Sequence, residues 1–372
     1  IKDWEAYELE LNKRLGLDNQ LSRVIGNKAR KDPKRVLFAD AENIKILKVA
    51  QLVVEEGVGY PVLMGNMVRI KKLAAENGID LEDMPIIDPK DDINEDLRKK
   101  YGELFYEKRH RHGVNKHEAY KLMRDRNYFG CMLVETGEVD CMISGLTRNY
   151  PDTIRPAIQT IGTDEGVKKI AGMYIMFTKR GPLFLADTTI NFHPTAEELS
   201  EITLLAAKIV KQFNIKPRVA MLSYSNFGSS NSTEAILVRN ARELVKQKDP
   251  SLICDGEIQG ILAFNKEILK DNYPFTELLN GEVNTLIFPN LSAGNIAYNL
   301  LQEVGGFDSI GPIILGLKKP VHVLQLGSSI RSIFNMVLIA VVDAQMKSNV
   351  NTQEAIKKSK WWKRFKTTSH DL

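Results

Sequence analysis

Small polar residues follow predicted strands at four places in the sequence. They are Ser144–Gly145, Ser223–Ser230, Asn290–Asn295 and Gly327–Ser329. Free backbone N–H groups at such turns, and the positive end of a helix that follows, can hold an anion. A serine–glycine turn alone is an ordinary loop. Four of them at the carboxyl ends of strands predict a cleft that binds an anionic ligand.

Two arginines could add positive charge to such a cleft. Arg155 follows a helix start in "YPDTIRP", and Arg109 begins the segment "RHRHG". The histidines of that segment alternate with arginines and have no carboxylate beside them, so the segment repels a cation. We therefore expect no metal site there. The segment is either a solvated helix end or a clamp for an oxyanion.

Several kinds of chemistry have no signature in the sequence. It contains neither a GxSxG nucleophile elbow nor a GxGxxG dinucleotide fingerprint. Cys131, Cys141 and Cys254 have no CxxC spacing, so we expect buried reduced thiols. The apolar run "MVLIAVVDAQ" is too short to cross a bilayer, and no signal-peptide pattern opens the chain. These features predict a cytoplasmic protein.

Positive charge is concentrated near the C-terminus. The 372 residues carry a formal net charge of +4, and the segment 357–366, "KKSKWWKRFK", holds six cations and no acid. An anionic partner is one interpretation of this tail. The other is a terminal helix that packs its two tryptophans and exposes its lysines. We favour the second interpretation and expect neither nucleic acid nor a membrane as a partner.

Predicted helices and strands alternate along the chain. Short apolar segments such as "RVLFAD" and "YPVLMG" are separated by amphipathic helices that end at glycine. This order is typical of βαβ units and a largely parallel sheet. The segments "AGMYIMFTK" and "GPLFLAD" are spaced as a hairpin or as adjacent strands. We therefore expect an α/β protein with two lobes and a ligand cleft between them.

Taken together, the motifs resemble those of the phosphotransacetylase family. The similar segments occur in the family's order: "TIRPAIQTIG", "PTAEELSEI", "PRVAMLSYS", "DGEIQ", "LIFPNLSAGNIAYNLLQ" and "GPIILGLKKPV". The resemblance extends over nearly the whole chain. It implies two three-layer α/β/α lobes with a cleft, similar to isocitrate and isopropylmalate dehydrogenases. It also implies that this cleft binds acyl phosphate and coenzyme A.

The chain departs from the family where active members carry catalytic residues. The frame "KPVHVLQLGSSIRSIFN" places Gln325 and Leu326 at the family's serine and arginine, and Ser332 at its proton-accepting aspartate. A general base is worth roughly 10²–10⁴ in rate, and a stabilising charge about 10²–10³. The resemblance therefore implies a site with no catalytic residues and a transfer rate lower by roughly 10⁴ or more.

Binding of the ligand needs fewer residues than its turnover. In the resemblance, two of the family's arginines correspond to Arg109 and Arg155, while Asn149 and Tyr150 stand where the family has a Ser-Thr pair. The residues that we expect to bind acetyl-CoA or coenzyme A are Arg109, Ser144, Gly145, Asn149, Tyr150, Arg155, Asn290, Asn295, Gln325, Gly327, Ser328 and Ser329. We expect no metal ligand among them.

The segments "PVHVL" and "LELNKRLGL" are similar to the C-terminal region of large bacterial NADP-dependent malic enzymes. There a phosphotransacetylase-like domain follows the dehydrogenase half. The resemblance implies a helical linker at 1–30, one lobe at 31–160 plus 311–372, and a second lobe at 161–310. It further implies a regulatory domain that binds acetyl-CoA in a homo-oligomer of at least two copies. NADP and a divalent metal would belong to a malic-enzyme half joined in cis.

Two other functions stay open from the sequence. One is a working phosphate acetyltransferase, or a related acyltransferase, with rearranged catalytic residues. The other is an oligomerisation module without a ligand.

Overall fold

A computed structural model describes residues 17–81 and 84–347. Residues 1–16 of the helical linker predicted at 1–30 and the basic segment 357–366 lie outside the described residues. Within them, the chain forms eleven strands in two sheets together with thirteen α-helices. The predicted α/β class is therefore confirmed. No helix in these two ranges is long and apolar enough to cross a membrane.

The strands are short and mostly buried. In chain order they are β1 (Lys34–Phe38), β2 (Gly59–Met64), β3 (Ile86–Ile87), β4 (Cys141–Ser144), β5 (Ala171–Thr178), β6 (Gly181–Ala186), β7 (Arg218–Leu222), β8 (Ile253–Ile258), β9 (Thr285–Ile287), β10 (Ser309–Leu315) and β11 (Val321–Val323).

The helices separate the strands along the chain. They are α1 (Leu17–Lys31), α2 (Ile44–Glu55), α3 (Met67–Glu76), α4 (Glu95–Arg109), α5 (Lys116–Leu122), α6 (Arg126–Glu135), α7 (Tyr150–Thr160), α8 (Ala196–Gln212), α9 (Thr233–Lys248), α10 (Gly260–Ala263), α11 (Lys266–Asn272), α12 (Leu291–Gly305) and α13 (Ile330–Lys347). Short 3₁₀ turns occur at Asp92–Asn94, His110–His112 and Glu277–Asn280.

The described chain divides into two compact units. Unit A comprises residues 25–165, apart from 82–83, and residues 317–347. Unit B comprises residues 17–24 and 166–316. Each unit contains one of the two sheets.

The sheet of unit A is entirely parallel, in the order β11-β4-β1-β2-β3. Helices cover both of its faces. Leu37 packs under α6, where a Cβ added to Gly130 would lie 3.0 Å from the Leu37 side chain. Val36 faces the opposite way because adjacent strand residues alternate. A Cβ on Gly59 would lie 3.3 Å from both Val36 and Val53 of α2, which places α2 on that second face.

The sheet of unit B is mixed, in the order β10-β5-β6-β9-β7-β8. The predicted pairing of β5 with β6 is confirmed as antiparallel, and β10 also pairs antiparallel to β5. Tyr174 stacks on Tyr298 of α12 at 3.7 Å between ring centroids. Phe184, on the other face, stacks at 5.8 Å on Phe213, which directly follows α8. Helices therefore cover both faces of this sheet as well.

The sequence pattern of 115–137 predicts one helix, which the structure divides into α5 and α6, and α9 and β10 are among the elements that were not predicted. The segment 115–137 breaks between α5 and α6, because the Asp125 side chain accepts hydrogen bonds from the Asn127 and Tyr128 amides and starts a new helix. α9 begins inside the serine-rich segment after β7, where Ser232 caps it. β10 contains Gly311 and Pro312 and a shift in its pairing register, so its apolar alternation is interrupted.

Candidate functional site

A buried carboxylate holds the loop that follows β4. Asp40, at the end of β1, accepts hydrogen bonds from the backbone amides of Gly145 and Leu146 at 2.9 and 3.1 Å. It also accepts one from the Thr147 hydroxyl and forms an ion pair with Arg126 at 2.6 Å. The carboxylate therefore ties β1, the β4 loop and α6 together at the carboxyl edge of the sheet.

Gly145 allows β11 to pass close to this loop. Its φ is +108°, and a Cβ would lie 2.7 Å from Cγ1 of Val323 and 2.9 Å from the carbonyl oxygen of Leu324. The neighbouring Ser144 is buried, and its hydroxyl donates to Oδ1 of Asn127 at 2.8 Å. The polar groups of Ser144 and Gly145 are thus engaged inside unit A, where they position the loop.

One cavity of about 480 Å³ lies beside this loop, and we call it the Arg155 cavity. Thr147, Arg148 and Asn149 line one side of it, and Asp152, Arg155 and Pro156 of α7 another. Leu326, from the turn between β11 and α13, also lines it, together with Asp125 and Tyr128. Segments that are remote in the chain therefore meet at the carboxyl ends of β4 and β11.

Arg155 supplies positive charge that is not held in an ion pair by any described residue. Its side chain is exposed and forms no ion pair with any residue that the structure describes. Asp125, by contrast, is paired with Arg148 at 2.6 Å. A guanidinium in a concave site, with no acidic partner, is suited to binding an anion.

Arg109 lies near the same residues, but it is not among those that line the Arg155 cavity. It ends α4, and its buried Nε has no hydrogen-bond partner among the described residues. Burial raises the pKa of Tyr128, while the positive charge of Arg155 and, more weakly, that of Arg109 oppose the rise. Both arginines therefore act on the electrostatics around Tyr128, whose hydroxyl donates to Gln159.

The turn between β11 and α13 contributes less to the cavity than the sequence predicted. Leu326 is 63% exposed and lines the cavity, whereas Gln325, Gly327, Ser328 and Ser329 are not among the lining residues. Lys45 of α2 donates to the Ser328 carbonyl at 3.0 Å. The Ser329 hydroxyl accepts the Ser332 amide at 3.1 Å. These contacts fix the turn locally and leave an apolar side chain at the cavity.

Asn149 and Tyr150 open α7, and Asn149 lines the cavity without capping the helix through its side chain. The other two predicted asparagines belong to unit B. Asn290 caps α12 by accepting the Ala293 amide at 2.9 Å, and Asn295 donates to the Thr188 carbonyl at 3.2 Å. Their roles in binding stay predictions.

A second cavity in unit A, of about 520 Å³, was not predicted from the sequence. We call it the basic cavity, because six cationic side chains line it: Arg69, Lys90, Lys121, Arg124, Arg126 and Arg148. Arg148 and Asp125 line both cavities, so their ion pair lies where the two adjoin. The cations come from four separate segments of the chain, at 69, 90, 121–126 and 148, and no local motif marks them.

Within residues 17–81 and 84–347, no group of three or more His, Cys, Asp or Glu side chains is arranged to hold a metal ion. Cys131, Cys141 and Cys254 are buried free thiols, as predicted. Burial raises the pKa of the Cys254 thiol to about 12, so this thiol stays protonated at neutral pH.

The sequence model of the family described as phosphate acetyl/butaryl transferase matches residues 20–341. The chain is 37% identical over 317 residues to a phosphate acetyltransferase of Bacillus subtilis, a match that covers 85% of this chain and 96% of that protein. Among solved structures, a phosphotransacetylase from Streptococcus pyogenes gives a TM-score of 0.80 with 33% identity and covers 87% of this chain and 99% of the other.

Malic enzymes match over a longer part of the chain. It is 36% identical over 353 residues to an NADP-dependent malic enzyme of Salmonella typhimurium, a match that covers 93% of this chain but 46% of that protein. The corresponding enzyme of Escherichia coli is 37% identical with the same coverage. The chain thus spans about half the length of these relatives.

Proposed function

Because the chain belongs to the phosphate acetyl/butaryl transferase family, we propose that it binds acetyl-CoA or coenzyme A in the Arg155 cavity and does not transfer the acyl group. In this proposal it is the regulatory domain of a longer NADP-dependent malic enzyme. The similarity to the C-terminal regions of such enzymes supports the assignment. Malate decarboxylation, NADP and a divalent metal would belong to the other half of that protein.

One observation carries the proposal: Leu326 and Arg155 line the same cavity. According to the family resemblance, active members carry a serine at the position of Gln325, an arginine at that of Leu326 and a proton-accepting aspartate at that of Ser332. The cavity therefore keeps one anion-binding guanidinium and has an apolar side chain where the second would be. Without the second positive charge, negative charge that develops during acyl transfer is not stabilised. Without the base, the thiol of coenzyme A keeps its proton.

The remaining surface of the cavity suits the acyl end of such a ligand. Leu122, Pro156 and Leu326 supply apolar contacts beside the charge of Arg155. This mixture of apolar walls and few polar groups is typical of small-molecule sites.

An active acyltransferase is the second candidate, and Asp152 favours it. This carboxylate lies in the first turn of α7 and lines the Arg155 cavity, where it could act as a base. The two candidates differ in turnover. We expect coenzyme-A-dependent release of phosphate from acetyl phosphate to be at least roughly 10⁴ slower than for an active relative. A rate near that of the Bacillus subtilis enzyme would establish the second candidate instead.

Regulation requires the ligand to favour one state of the longer protein. Typical coupling between two sites changes apparent affinity by about five- to 150-fold. We expect acetyl-CoA to inhibit malate oxidation by the longer enzyme within that range. An unchanged malate KM and kcat at saturating acetyl-CoA would contradict the regulatory part of the proposal while leaving the binding part intact.

We also propose that the chain forms homo-oligomers through α12. Ile296, Leu300 and Val304 recur at every fourth position of this helix and are 58%, 57% and 83% exposed. Residues at this spacing share one helix face, and such an apolar face favours a second copy as its cover. Light scattering should give at least a dimer for the parent chain and a smaller species for Leu300→Glu. A monomeric parent would contradict this proposal.

A further inference from the structure

The basic cavity has more positive charge than its own carboxylates neutralise. Three acids line it beside the six cations: Glu42, Asp88 and Asp125. Glu42 pairs with Arg69 at 3.1 Å, and Asp125 with Arg148 at 2.6 Å. Although burial alone would raise the pKa of Glu42, the Asn66 amide and Arg69 lower it. The charge of this carboxylate is therefore already balanced by its neighbours.

Three of the cations that line the basic cavity are not held in such an ion pair. Lys90, Lys121 and Arg124 are exposed and form no ion pair with any residue in the described ranges. Lys90 follows β3, while Lys121 and Arg124 lie at the end of α5 and just after it. Single solvated cations are ordinary on a protein surface, but these three line one concavity, Lys90 from one segment and Lys121 and Arg124 from another. Their mutual repulsion is relieved when an anion binds between them.

The position of the cavity also favours a ligand. It lies where β1, β2 and β3 end, since Glu42, Gly65, Asn66, Asp88 and Lys90 all come from the segments directly after those strands. Parallel sheets bind ligands at the carboxyl ends of their strands, where the strand order reverses. Here the order β4-β1-β2 reverses at β1. A volume of about 520 Å³ is within the usual range for small-molecule sites.

We propose that the basic cavity binds phosphate groups of a small molecule. Arginine and lysine together are suited to this chemistry, because the guanidinium can bind two phosphate oxygens at once and the ammonium adds a point charge. More than one phosphate is needed to neutralise three cations that form no ion pair, so a bisphosphate or a diphosphate fits better than a single phosphate.

The phosphates have two possible sources. Because Asp125 and Arg148 line both cavities, a single coenzyme A molecule could place its thioester end in the Arg155 cavity and its phosphates in the basic cavity. This first source rests on the proposed function. The second source is a separate phosphorylated small molecule, and it does not depend on acetyl-CoA binding at all.

The test is calorimetric titration of the 372-residue chain with two probes, adenosine 3′,5′-bisphosphate and inorganic pyrophosphate. We expect both to bind, and the double variant Lys121→Glu/Arg124→Glu to weaken both at least about ten-fold, since it replaces attraction by repulsion. Arg111→Glu is the matched control, because Arg111 is an exposed arginine of unit A outside both cavities. It should leave both affinities unchanged. Thermal melts of each variant check that it is folded.

Competition with acetyl-CoA separates the two sources. If acetyl-CoA displaces the bisphosphate and the double variant weakens acetyl-CoA as well, the phosphates are those of the coenzyme. If both ligands bind together, they are those of a second molecule. Either result supports the site. No binding of either probe at millimolar concentration, or equal binding to the folded double variant, overturns it. Variant-sensitive binding of pyrophosphate without any binding of acetyl-CoA would refute the proposed function and leave this site standing.

Discussion

The Asp40 carboxylate accepts the backbone amide of Gly145 at 2.9 Å, and this contact joins the end of β1 to the loop after β4. Asp40 is almost fully buried, and Arg126 is its ionic partner at 2.6 Å. Both cavities adjoin this junction, since Arg148, three residues after Gly145, lines both of them. The geometry of the candidate site therefore depends on one buried acid.

Replacing Asp40 should destabilise unit A strongly. Asp40→Ala leaves Arg126 without its ionic partner and the Gly145 and Leu146 amides without their acceptor, and breaking a buried pair on one side costs about 3–5 kcal/mol. Asp40→Asn is the matched control, because it keeps the shape and one acceptor oxygen, and it should cost less. Urea unfolding measures both. An Asp40→Ala chain within 1 kcal/mol of the parent, on the order of the fitting error, would show that the contact is dispensable.

Substitution of Gly145 should separate the cost of a steric clash with Val323 from the cost of backbone strain at a positive φ. Gly145→Ala places a Cβ 2.7 Å from Val323 at a φ of +108°, whereas Gly137 has a φ of +78° and open space around it. Strain alone costs about 1–3 kcal/mol, so Gly137→Ala should lose roughly that much and Gly145→Ala clearly more. Equal losses in urea unfolding would mean that β11 moves away without cost.

His322 should make stability depend on pH. Burial lowers the pKa of His322 to about 4, although Asp343, 3.7 Å away, opposes the shift. The unfolded chain, with an ordinary pKa near 6.5, therefore binds more protons between pH 4 and 6.5, so stability falls as the pH is lowered through this window. The loss is on the order of 3 kcal/mol. His322→Gln should flatten the dependence of the free energy of unfolding on pH in this window. An unaltered slope in that variant would assign the pH dependence to other groups.

Much of the fold was predictable because its signals are local. Glycine-ended helices and short apolar runs predicted β1, β2 and α2 between them, and the spacing of β5 and β6 predicted their pairing. β10 escaped prediction since Gly311 and Pro312 interrupt its apolar pattern. The break before α6 depends on one capping side chain, Asp125, which looks like any other polar residue in a helical segment.

The candidate site was predictable only in part. Arg155 and Leu326 were identified from motifs, and the structure places both on one cavity. Ser328 and Ser329 were expected to bind the ligand, and this stays a prediction; in the structure the Ser328 carbonyl accepts a hydrogen bond from Lys45 and the Ser329 hydroxyl accepts the Ser332 amide. The basic cavity could not be predicted, because its cations converge through the sheet topology and share no sequence motif.

Restoring the family's catalytic residues should restore turnover. The triple variant Gln325→Ser, Leu326→Arg and Ser332→Asp returns the charge and the base, whose removal costs roughly 10²–10³ and 10²–10⁴ in rate. We expect phosphate release from acetyl phosphate to rise at least about 10²-fold. Leu326→Met, a change without charge, is the control and should give no gain. If the folded triple variant is as slow as the parent, the loss of acyl transfer depends on more than these three positions.

Calorimetric titration of acetyl-CoA into the 372-residue chain tests the central claim most directly. We predict saturable binding to the parent and an affinity about 10- to 100-fold weaker for Arg155→Ala, because a hydrogen bond to a charged group is worth about 1.5–3 kcal/mol. Lys208→Ala, an exposed cation of unit B, should bind as the parent does. The absence of binding at millimolar acetyl-CoA, or an Arg155→Ala chain that binds as tightly as the parent, would contradict the claim that the Arg155 cavity holds this ligand.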